Sequence, residues 1–126
     1  MDNRELNEAV RAWLLLGLWA LVIAFLTLIP GDEIPQFGFK NMDKVIHLLE
    51  FFALGFLMLD AFLKLQLDVN IGILLIFTIV LGSAYAGIGE WAQTFIPGRM
   101  PDKYDLLSDL LGLNLGAFMY LRGVRN

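Results

Sequence analysis

Three pairs of polar residues carry the chemistry in this chain: His47 with Glu50, Glu90 with Gln93, and Asp105 with Asp109. Residues three or four apart share a helix face, so each pair projects as one stripe. Arg99 lies between the second and third pairs. Three chemistries fit this set. His47, Glu50 and Glu90 are a candidate divalent-metal triad, since an H-x-x-E pair on a helix with a facing carboxylate has workable geometry. His47 is alternatively a general base oriented by a carboxylate. No Ser or Thr stands in a nucleophile setting beside it, because Ser108 falls off the Asp105–Asp109 face. In the third chemistry Arg99 holds a phosphate or carboxylate while His47 and the acids take polar or cationic groups. That one needs no reaction and demands least of the sequence.

These residues sit in a greasy chain. Of 126 residues, 58% are hydrophobic, and the mean hydropathy is +0.67. A soluble core of this size cannot hide that much apolar surface, so the class is an all-α membrane protein of one domain. Net charge is −4 and no basic patch exists, which excludes nucleic acid as a partner. Cysteine is absent, which excludes disulfides and thiolate chemistry. Four apolar runs predict four transmembrane helices at about 13–29, 45–63, 71–95 and 104–121. The first run follows a segment mixing acids with Arg4 and Arg11 and lacks a small-residue cleavage pattern, so it is read as a retained helix.

Runs two to four contain polar residues, which in lipid must face other helices or water. A four-helix bundle is therefore expected. The termini and loop two fall on one side. Loops one and three fall on the other, with all four prolines. Arg4, Arg11, Lys64, Arg122 and Arg125 on the terminal side outnumber Lys40, Lys44, Arg99 and Lys103 by one, which predicts cytoplasmic termini. Asp102 is expected to cap helix four, and Asp43 and Lys44 to lie at the interface. Small residues at Gly112 and Gly116, and at Gly82, Ala86 and Gly89, predict close helix packing. A purely architectural alternative pairs Arg99 with Asp105, and His47 with Glu50 or Glu90, to hold register. Asn114 is expected to bond a neighbouring helix.

The stretches "DKVIHLLEFFALG" (43–55) and "YAGIGEWAQTFIPGRMPDKYDLLSDLLGLNLG" (85–116) resemble the VanZ-like family of small bacterial membrane proteins. The matching positions are His47, Glu50, Phe51, Glu90, Gln93, Phe95, Pro97, Gly98, Arg99, Asp105, Asp109, Gly112 and Gly116. The likeness covers about residues 41–118, with helix one added by hydropathy. Two positions depart from the pattern. Gly89 stands where many relatives have Asp, and Ala92 where some have His. The resemblance implies a link to low-level resistance to the glycopeptide teicoplanin, the association of the family's namesake.

Together these features predict a multi-pass protein of the bacterial inner membrane. An outward-facing polar pocket would bind an amphiphile: a lipid-linked or phosphorylated headgroup, or a lipoglycopeptide. His47, Glu50, Glu90, Gln93, Arg99, Asp105 and Asp109 would line it, with Arg99 on the anionic group. No cofactor is then expected. The alternative is a membrane-embedded, metal-assisted hydrolase or transferase with a divalent metal on His47, Glu50 and Glu90. Membrane lipids are expected partners under either, and a membrane-protein partner in a larger envelope complex is a third option.

Overall fold

The computed structural model describes residues 1–33 and 41–125. It consists of α1 (Asn3–Leu28), α2 (Met42–Leu63), α3 (Ile71–Gln93) and α4 (Lys103–Arg125), with one 3-10 turn at Gly31–Glu33. Pro35 and Lys40, used in the loop-one and orientation arguments, lie outside the described residues. Helix α1 starts ten residues earlier than its apolar run. Its polar first turns are held by a capping box, in which the Asp2 side chain accepts from Glu5 N and Glu5 accepts from Asp2 N.

Three helices, α1, α2 and α3, are long and apolar enough to cross a membrane, not four. The fourth falls short because Asp105, Asp109 and Asn114 interrupt its apolar run and Lys103 and Arg122 close its ends. Its outward face is nonetheless apolar. Leu111, Leu115, Phe118 and Met119 are exposed, as are Leu18, Leu21 and Phe25 on α1 and Ile76, Phe77 and Val80 on α3. A water-soluble domain does not display such a belt on all sides.

The helices run alternately up and down. α2 and α4 are therefore parallel, as the contacts of Leu48 with Gly112, Phe52 with Gly116 and Asp60 with Tyr120 require. α1 and α3 are likewise parallel: the Tyr85 hydroxyl donates to the Ala20 carbonyl at 2.6 Å, and Thr27 faces Gly89. Among the described residues every helix pair touches except α1 with α4. The α2–α4 seam is the tightest. A Cβ on Gly112 would strike the Leu48 carbonyl, one on Gly116 the Phe52 carbonyl, and one on Gly55 the Leu113 carbonyl. Without side chains there, the two backbones meet directly.

Loops one and three are also laid backbone on backbone. Gly31 N donates to Pro97 O at 3.0 Å. Gly98 takes a φ of +72°, open to glycine at little cost, and any Cβ on Gly31 would collide with its carbonyl. Asn114 does not bridge helices, contrary to expectation. It is exposed, and its amide donates to the Leu110 carbonyl one turn back at 2.7 Å. The outward side of α4 offers no partner helix, so the amide turns to its own backbone.

Candidate functional site

The stripes on α2, α3 and α4 do converge at the end of the bundle beneath loops one and three. Pairs expected from spacing are replaced by others. His47 Nδ1 lies 2.8 Å from Asp109 Oδ1, and Nε2 lies 3.7 Å from Asp105 Oδ2. A carboxylate only accepts, so Nδ1 carries the proton in the shorter contact. The longer one is beyond hydrogen-bond reach. His47 thus pairs with Asp109 on α4, not with Glu50 or Glu90. The glycine seam explains this, because it brings α4 one backbone width from α2, nearer than α3 comes.

Lys44 is the residue that spacing undervalued. Expected at the interface, its side chain is only 24% exposed, and Nζ donates to Asp102 at 2.8 Å, Asp43 at 2.9 Å and Asp105 at 3.0 Å. These bonds tie the start of α2 to the start of α4. In the loop, the bond from Lys44 holds the Asp102 carboxyl below its ordinary range. Asp102 also caps α4 as expected, accepting from Tyr104 N at 2.8 Å. The one signal available in sequence was Lys44 lying one turn before His47 on the same helix.

Arg99 does not pair with Asp105. Its Nε donates to Ile29 O at 3.0 Å and Nη2 to Leu26 O at 2.7 Å. Those carbonyls end α1 and have no partner within the helix. A cation there also complements the negative end of the helix dipole. Burial pulls this guanidinium below its ordinary value. Arg99 is thus a brace between loop three and α1, with two of its five N–H groups spent on those carbonyls.

Glu90 is buried, and Oε2 accepts from Asp102 N at 3.0 Å, so α3 is pinned to the start of α4. Gln93 is 2% exposed. Trp19 Nε1 donates to the Glu50 backbone carbonyl at 2.9 Å, and among the described residues no fully buried side-chain nitrogen or oxygen is left without a partner.

A cavity of about 130 Å³ opens beside this cluster. Its polar floor is His47, Glu90, Gln93 and Asp109, with Tyr85 at the side. The walls are apolar, from Ile23, Ala24 and Leu28 on α1, Phe51 on α2, and Ala86 and Ile88 on α3. Leu28 is 50% and Ile88 61% exposed, so the mouth lies between α1 and α3. Gly89 and Ala92, the two departures from the VanZ-like pattern, both line the cavity and leave it room. Of the seven residues expected to line a pocket, four do so; Glu50, Arg99 and Asp105 stand behind or beside it. The ligand atoms of His47, Glu90 and Asp109 lie within 4.8 Å of one another, so Asp109 takes the place expected for Glu50 in a metal-competent triad. A second such group, Asp43, Asp102 and Asp105, surrounds Lys44, whose ammonium already occupies the space between the three carboxylates.

A family model described as VanZ/LLP1 matches residues 6–124. No curated protein and no solved structure matches the chain.

Proposed function

The chain belongs to the VanZ-like family of membrane proteins, and we propose on that premise that it is a multi-pass protein of the bacterial inner membrane that binds an amphiphile from the cell envelope. The observation carrying this is the cavity between α1 and α3. Its floor is polar, its walls are apolar, and its mouth lies between two exposed aliphatic side chains. Pockets for small molecules combine an apolar lining with a few convergent polar groups. The head group would meet Glu90, Gln93 and the His47–Asp109 pair, and the chain would leave past Leu28 and Ile88 into lipid. In this reading α4 is also embedded, with its acids turned inward and its exposed leucines and phenylalanine toward lipid. The termini are cytoplasmic and the cavity lies near the outer face.

Filling the cavity tests the proposal. The Cβ of Gly89 would meet only Thr27 Cγ2, at 3.8 Å, so Gly89→Leu projects into space without striking backbone. Lipid extracts of wild-type and Gly89→Leu protein, purified in mild detergent, should differ in one amphiphile retained only by the wild type. Identical extracts would sink the idea.

A second reading, metal-assisted hydrolysis or transfer on a lipid headgroup, is supported by the proximity of His47, Glu90 and Asp109. A histidine with two carboxylates is a donor set that suits divalent zinc or manganese. Bound metal, its loss on His47→Ala, and metal-dependent turnover of a lipid would be its signature.

A further inference from the structure

The charge balance at the cavity specifies the head group, given the amphiphile-binding reading above. Among the cationic side chains described at this end of the bundle, only His47 lines the cavity. Lys44 is shared among Asp43, Asp102 and Asp105. Arg99 holds the carbonyls of Leu26 and Ile29. His47 is paired with Asp109 at 2.8 Å. Neither Lys44 nor Arg99 lines the cavity. A phosphate or carboxylate entering it would meet Glu90 and Asp109, and the described lining offers it no cation besides the paired His47.

Acceptors, by contrast, are in surplus. Glu90 uses Oε2 on Asp102 N, while Oε1 has no hydrogen-bond partner among the described residues. Gln93, 2% exposed, lines the same cavity and brings a further carbonyl oxygen to it. We propose that the cavity takes the ammonium group of an alkylamine-bearing amphiphile, with the Glu90 carboxylate as counter-ion and the Gln93 carbonyl oxygen as a second acceptor. An ammonium presents three donors and no acceptor, matching this floor. Its first methylenes rest on Ile23, Ala24 and Ala86. A bare divalent ion would leave most of a 130 Å³, largely apolar space unfilled.

Purified protein in neutral detergent, at pH 7, is titrated with n-octylammonium, n-octanol, n-octyl phosphate and Mn²⁺, and bound species are counted by native mass spectrometry. The wild type should prefer octylammonium to octanol by at least tenfold and to octyl phosphate by more. Glu90→Gln keeps an oxygen for Asp102 N and removes the charge. It should bring the ammonium-to-octanol ratio close to one while octanol binding persists, which a misfolded variant would not show. Octyl phosphate binding best would overturn the ammonium assignment and leave the amphiphile reading intact. Mn²⁺ binding that depends on Glu90, without octylammonium binding, would overturn it in favour of a metal site. Binding of none of the four would overturn both.

Discussion

The two parallel helix pairs of this bundle use glycine in opposite ways. On the α2–α4 seam, Gly55, Gly112 and Gly116 bring backbone against backbone, and a single methyl has nowhere to go. On the α1–α3 seam, a Cβ on Gly89 would meet only Thr27 Cγ2, at an ordinary 3.8 Å, and the glycine lines the cavity. The tight seam also carries the ion pairs, Lys44 to Asp102 and Asp105 and His47 to Asp109. The loose seam is held by Tyr85 on Ala20 and by the Arg99 brace. One half of the molecule is built to stay closed and positions charge, and the other is built with room beside it. The contrast shows why a small-residue motif cannot be interpreted until its neighbour is known.

The largest effect that can break this contrast lies on the tight seam. Asp109→Ala strands His47, of which 14% of the side chain is exposed, beside Asp105 and Glu90. Losing one partner of a buried pair costs about 3 kcal/mol or more. Unfolding in mixed detergent should register it, and a cost below about 1 kcal/mol would mean the pair is solvated. Next, Gly116→Ala should destabilise by about 2 kcal/mol, because its methyl meets the Phe52 carbonyl and the helices must separate. Gly89→Ala should instead gain about 0.5 kcal/mol from helix propensity. Equal thermal shifts for the two alanine variants would erase the distinction between the seams. The smallest destabilisation is that of Tyr85→Phe, which removes the hydrogen bond to Ala20 O at a cost of about 1 kcal/mol. That substitution should loosen α1 from α3 without altering the α2–α4 ion pairs, which the ¹⁵N shifts of Lys44 and His47 would report.

Much of the architecture was legible because hydrophobic runs of membrane length admit few alternatives to helices. The polar stripes were legible too, since 3.6-residue periodicity places His47 and Glu50, or Asp105 and Asp109, on one side of a cylinder. Helix starts were less so. The apolar run begins at Trp13, yet the capping box at Asp2 and Glu5 starts α1 at Asn3, a local polar signal that hydropathy ignores. Partner choice could not be obtained from periodicity. Arg99 looked like an anion clamp because nothing in its neighbourhood shows that the open carbonyls of α1, some seventy residues earlier, need a donor. Asn114 failed for the converse reason, since it faces outward where no helix packs.

What the sequence by itself determined is the inventory: an all-α membrane chain of the VanZ-like family, with most of its acids, its one histidine and Arg99 gathered at one end. Local spacing, hydropathy and capping suffice for that, because each depends on residues within a few turns of one another. Only the tertiary structure decided who faces whom. The glycine seam draws α4 onto α2, so His47 meets Asp109 and Lys44 meets three carboxylates, while Arg99 is spent on a helix end. Those choices depend on backbone approach between distant segments, and they leave Glu90 and Gln93 facing a cavity with acceptors to spare.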